Sequence, residues 1–199
     1  MTFAFRLKQS TDTIHSCLDK HRWFRHLAGP RATVEDYRKY LLGWNAIQGA
    51  VESHVFPALT PFHKRLRLDQ RARSSHAIED LKQLGLDAET ILRHTPSIPI
   101  HASSVAEALG VLYVIEGATL GGAVVKRLLA DQHPAWTPTL FLTSYGPHRS
   151  LFWKELLTFI ENHFQSAPDT FRSAQISAID TFQQILVWFD RELEQIPLQ

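Results

Sequence analysis

The chain has 199 residues, a length that fits one domain spanning 1–199 with a core of useful size. Apolar residues make up 44% and the formal net charge is +1, ordinary values for a soluble globular protein that give no reason to expect nucleic acid. The single cysteine, Cys17, excludes an internal disulfide and suits a reducing compartment. Polar and charged side chains stand within the first ten positions, so no signal peptide is expected and a cytoplasmic location is. No apolar run approaches the ~20 residues of a membrane span.

Prolines fall between periodic segments, as helix breakers should. Leu7, Ile14 and Leu18 stripe a first helix over 3–21. Thr33 caps a second, with Asp36 where a capping box has Glu or Gln. Tyr37, Tyr40, Leu41, Trp44, Ile47 and Val51 carry that helix to about 56. A third is predicted over 62–83 and a short fourth over 88–94, before a Pro-rich link at 95–99. A long helix over 104–131 opens at Ser103 or Ser104, with Glu107 in the capping-box position. Leu140-Phe141-Leu142 is a strand candidate, but it is short and has no partner. Two further helices follow at 148–165 and 169–194, the last striped by Phe171, Ile179, Phe182, Ile185, Leu186 and Phe189. The expected fold is all-α, one layered helical domain without repeats.

The long helix is the most informative segment. It is apolar yet carries Gly117, Gly121 and Gly122. Each glycine costs a helix interior about 1 kcal/mol relative to alanine. Gly117 and Gly121 are four apart, as are Ala118 and Gly122, which predicts a shallow groove of small residues on one face. Either another helix crosses there closely, or a flat ligand lies on bare backbone.

Three segments carry a family resemblance. The first is Ser10-Thr11-Asp12-Thr13-Ile14-His15-Ser16-Cys17-Leu18-Asp19. The second is Tyr113-Val114-Ile115-Glu116-Gly117-Ala118-Thr119-Leu120-Gly121-Gly122, the most specific of the three. The third is Phe141-Leu142-Thr143-Ser144-Tyr145-Gly146 followed by Trp153. In this order they resemble the heme oxygenases, most closely the bacterial, biliverdin-producing branch that includes enzymes associated with bacteriophytochromes. The resemblance implies a multi-helical heme oxygenase-like fold and cleavage of heme at a meso carbon to biliverdin, CO and Fe²⁺. Heme would be both substrate and cofactor. No nucleotide, flavin or Cys-cluster motif is present, so electrons are expected from a separate ferredoxin or reductase. A bacteriophytochrome is a candidate biliverdin acceptor.

Of the 11 histidines, His21, His26, His63, His76, His94, His101, His133, His148 and His163 lie on predicted polar faces or in loops, and His54 sits near a helix end. No Glu-x-x-His pair is present, which argues against a di-iron bundle. His15 is the candidate iron ligand. Asp19, one helical turn on, could accept its Nδ1 proton and leave Nε2 for the metal. Lys8 shares that face and matches a propionate-contacting lysine in the resemblance. Lys126 and Arg127 could reach a propionate from the long helix, and Lys154 or Arg149 from the next. Some bacterial members use a lysine near the Lys126 position and seat the heme rotated in plane.

The predicted heme bed is Gly117, Gly121 and Gly122, with Gly117, Ala118 and Gly121 placed at the reacting face. A helix pressed on the distal side directs oxygen along the macrocycle plane, and only glycine and alanine let backbone come so close. Where animal-type members have Asp after the first glycine, and many bacterial ones Ser, this chain has Ala118, without a side-chain donor. That departure motivates the alternative of a heme carrier or sensor on the same fold. A thiaminase-like or quinone-cofactor enzyme would use a carboxylate, Tyr or Cys in the same place. Glu52, Glu116 and Tyr113 are available for that but form no motif.

Overall fold

The computed structural model describes residues 1–27, 29–95, 97–133 and 138–191. All regular structure in them is helical: α1 Phe3–Asp19, α2 Arg22–Leu27, α3 Val34–His54, α4 His63–Leu66, α5 Leu68–Arg71, α6 Ser74–Gln83, α7 Ala88–Arg93, α8 Val105–Gln132, α9 Leu140–Thr143, α10 Arg149–Ser166 and α11 Phe171–Arg191. The all-α expectation holds. The predicted end of the last helix, at 192–194, lies outside the described residues.

Local chemistry sets most boundaries. Thr33 and Asp36 close a reciprocal capping box at the start of α3, with Asp doing the work of Glu. Ser104, not Ser103, caps α8 by accepting from the Glu107 amide. The Glu107 carboxylate then takes the Ser103 amide and hydroxyl, each at 2.8 Å.

Three elements differ from expectation. The first helix stops at Asp19, and α2 follows as a separate turn. His21, expected on a polar face or in a loop, is buried in the junction between them, its Nε2 3.1 Å from Asp190. The helix expected over 62–83 is three pieces. It breaks at Arg67, which takes a left-handed conformation with φ of 52°. The Leu66 carbonyl is there captured by Arg71 Nε at 2.6 Å, a partner outside the helical ladder. The strand candidate is the helical turn α9. Asp80, wholly buried, accepts the Leu140 and Phe141 amides at 2.9 and 2.8 Å. Two donors left free at a helix start are thereby satisfied. Burial raises the Asp80 pKa, with those two amide bonds pulling it back down.

α8 is the central element, packed chiefly on α11 and also on α9 and α10. Contrary to the sequence expectation, it is long and apolar enough to cross a membrane, with mean hydropathy 1.7 in its most apolar window. Of that window, 56% is buried within the protein, which is the apolarity of a core helix. The close crossing of α8 and α11 is at Gly110. A Cβ there would lie 2.2 Å from the Ala174 carbonyl oxygen, which is backbone and cannot rotate away. Gly110→Ala is therefore expected to destabilise the protein by about 2–3 kcal/mol through overpacking, despite alanine's better helix propensity. The urea unfolding midpoint measures it.

Candidate heme site

The glycines of α8 do not share one role. Gly121 has nothing within 4 Å of a built Cβ. Gly117 meets only the Trp153 ring, at 3.6 Å, and Gly122 only Leu142, at 3.5 Å, both ordinary van der Waals distances. No helix crossing demands glycine at any of the three. That demand sits at Gly110, which the sequence reading passed over because one small residue in an apolar run carries no signal of its own.

Helical phase separates the small residues further. Gly117 and Gly121 continue the line of Tyr113 at four-residue steps. Leu120 and Val124 flank this line and are 40% and 49% exposed. This half of α8 thus presents an apolar, partly side-chain-free strip on the surface. Ala118 and Gly122 lie about 100° around the helix from it. They line a small cavity of about 10 Å³ with Thr119, Tyr40, Trp44, Arg73 and Tyr145.

Tyr113 connects the strip to α1. Burial raises its pKa, the neighbouring Thr11 hydroxyl lowers it, and the Asp12 carboxylate raises it. Thr11 is one turn before His15. The contact therefore joins the His15 side of α1 to the Gly117 side of α8. His15 is half-exposed, with Nδ1 3.1 Å from Asp19 Oδ2. Its ring stands edge-on to Phe182 at 5.6 Å. With Nδ1 committed to a carboxylate, Nε2 is the nitrogen available for a metal. No group of three or more potential metal-ligating side chains occurs among the described residues. A lone imidazole is the donor set that a porphyrin iron requires, since the macrocycle fills the equatorial positions.

The candidate propionate partners are placed unequally. Lys8 Nζ is 2.7 Å from Asp12 Oδ1 on the exposed side of α1. Lys126 is exposed but stands five residues after Gly121, about 140° around the helix from it. Arg127, seven after Leu120, follows the strip more closely. Arg149 donates to the Leu142 carbonyl at 2.7 Å, and Lys154 is exposed on α10.

Some polar residues at the site were not singled out in the sequence. The Arg73 guanidinium lies over the rings of Phe141 and Tyr145, 5.3 Å from each centroid. Arg73 Nε and both amide atoms of Gln48 are buried without a hydrogen-bond partner among the described residues. Arg73 and Trp44 line the cavity beside Ala118. Thr119 is not a free donor, because its hydroxyl bonds the Glu116 carbonyl at 2.6 Å. Glu116 pairs with Arg71, and Glu52 accepts the Arg73 and Ser74 amides at 2.7 and 2.8 Å. Both carboxylates are thus structurally committed, and the thiaminase-like arrangement has no support in this geometry.

The heme oxygenase family model matches residues 1–191. The chain belongs to the heme oxygenase family. A heme oxygenase of Xanthomonas campestris pv. campestris (strain 8004) is 34% identical over 89 residues, 45% of this chain. That alignment spans about half the length of the relative, 50%. Among solved structures, the NO- and CO-bound heme oxygenase of Neisseria meningitidis superposes with a TM-score of 0.71 at 22% identity. It covers 100% of this chain and 96% of that one, and at this identity it shows the fold. Family membership and the multi-helical fold agree with the sequence expectation.

Proposed function

We propose that this chain cleaves heme at a meso carbon, using O₂ and electrons from a separate ferredoxin or reductase, to give biliverdin, CO and Fe²⁺. The observation that carries this reading is the strip at Gly117 and Gly121. It is open at Gly121 and covered at Gly117 only by the Trp153 ring, it is apolar, and through Tyr113 it borders the helix of His15. Bound heme supplies the redox-active iron. Asp19 holds the His15 ring through Nδ1, which would leave Nε2 to hold the iron. The side-chain-free backbone at Gly117 and Gly121 would let the macrocycle lie directly on the helix and would leave oxygen little room except alongside the ring. A neutral imidazole, unlike a thiolate, does not push O–O cleavage.

Ala118 donates no hydrogen bond, and the cavity beside it supplies the replacement. Its volume is about that of one water, and Arg73 Nε–H is an unspent buried donor. A water held there would give Ala118's side of α8 a hydrogen-bonding group beside the strip. This argues for turnover over the carrier or sensor reading that Ala118 on its own favours. The free, exposed Cys17 fits a cytoplasmic setting, and a bacteriophytochrome is a fitting biliverdin acceptor.

The test is titration with hemin followed by reductant in air. One-to-one binding, then loss of the Soret band with growth of a biliverdin band, is expected. A Soret band stable through many reductant equivalents would establish a carrier or sensor instead.

Lys8 and the α8 cations set how the heme sits. A partly exposed pair of this kind contributes roughly 1 kcal/mol, too little to abolish binding. It is enough to reweight two in-plane orientations by close to tenfold, since about 1.4 kcal/mol is a factor of ten. Lys8→Ala should leave affinity nearly intact and shift the biliverdin isomer ratio. By helical phase, Arg127→Ala should shift it more than Lys126→Ala. Chromatography of the isomers measures both, and wild-type ratios in all three variants would remove these cations from the site.

A further inference from the structure

Arg71 is among the largest fully buried side chains of the molecule. It pairs with Glu116, and the two side chains are 1% and 2% exposed. Its Nε donates to the Leu66 carbonyl, and its second terminal nitrogen donates to the Phe152 carbonyl at 3.0 Å. The other Glu116 oxygen accepts the Tyr145 hydroxyl at 2.7 Å. Tyr145 in turn stacks on Phe152, with centroids 4.6 Å apart and planes 19° apart. One buried charge cluster thus ties α5, α8, α10 and the segment after α9 together.

Desolvating such a pair costs about what the attraction returns, so apolar side chains of similar volume often hold a fold as well. Position is what this cluster adds. Glu116 immediately precedes Gly117, and Phe152 immediately precedes Trp153. The Trp153 ring is the group that meets a Cβ built on Gly117, and it packs on Tyr113 at 5.4 Å between centroids. Trp153 therefore closes one end of the glycine strip, while Gly121 stays open.

We propose that Trp153 is the stop that sets how the macrocycle seats in plane, and that Arg71, Glu116 and Tyr145 are positioning residues holding it against Gly117. The proposal rests on the heme reading and adds a determinant of which meso carbon is presented. Cations select a seating by attracting propionates, whereas Trp153 selects it by excluding the macrocycle edge from one end of the strip.

The test uses the full chain loaded with ferric heme. Heme-methyl NMR reads the ratio of seated orientations, independently of turnover, and chromatography reads the biliverdin isomers. Two variants are compared with wild type: Trp153→Leu, and the apolar set Arg71→Met, Glu116→Leu and Tyr145→Phe together. Both are expected to bind one heme and to change the seating ratio by about threefold or more, with Trp153→Phe falling between Leu and wild type. If the triple variant does not fold, Trp153→Leu and Trp153→Phe decide the role of the stop, and Tyr145→Phe alone reads the cluster. Folded variants that bind heme with the wild-type ratio overturn this proposal and leave the heme reading intact. A wild-type chain that takes up no heme overturns both.

Discussion

His15→Ala is expected to abolish the six-coordinate ferric heme spectrum while leaving the fold in place. His15 is half-exposed, and its side-chain partners are the exposed Asp19 and the edge of Phe182. Removing it leaves no buried polar atom stranded, and surface changes of this kind usually fall within about 0.5 kcal/mol. The variant lacks the proposed iron ligand, so the effect on the site is large although the effect on stability is small. Apolar contact with the strip along Gly117, Leu120, Gly121 and Val124 still retains some heme. Added imidazole should enter the space left by the side chain and restore the Soret position. A variant with an unchanged Soret band would place the iron on another nitrogen. Asp19→Asn is the finer probe. It keeps a hydrogen bond to Nδ1 but removes the carboxylate charge beside the imidazole, so the iron–imidazole stretching frequency should fall.

How much of this was legible in the sequence depended on the range of the interaction. The capping box at Thr33 and Asp36, the cap at Ser104 and the apolar period of α3 and α11 are set within a few residues, and they could be read. The break at Arg67 could not. It depends on Arg71 being buried and capturing the Leu66 carbonyl, and that burial comes from α8 and α10, distant in sequence. α9 read as a strand for the same reason: the carboxylate that caps it is Asp80, 60 residues earlier. The glycines of α8 announced a site because three in one apolar helix is a local cost with no local return. Sequence could not divide them between an open strip and a cavity wall, because that division is made by Trp153 and Leu142. Arg73 was invisible as a site residue. Its signal is an unspent donor, which exists only once the neighbours are in place.

Gly121→Leu is expected to separate folding from function most sharply. Leucine is a better helix former than glycine by somewhat under 1 kcal/mol, and nothing lies within 4 Å of the position its Cβ takes. The heme-free variant should therefore melt at or slightly above the wild-type temperature. In the heme-bound state the new side chain occupies the space directly over the strip, where backbone and macrocycle must approach to contact. Heme uptake should fall by at least about a hundredfold, since excluding the ring forfeits several kcal/mol of apolar contact. Gly110→Ala makes the opposite pattern, with lost stability and a bed left unobstructed. Measured side by side, the two variants distinguish a glycine kept for helix packing from one kept for a ligand. Should Gly121→Leu unfold the heme-free chain, the strip would be a packing surface, and the proposed bed would lose its main support.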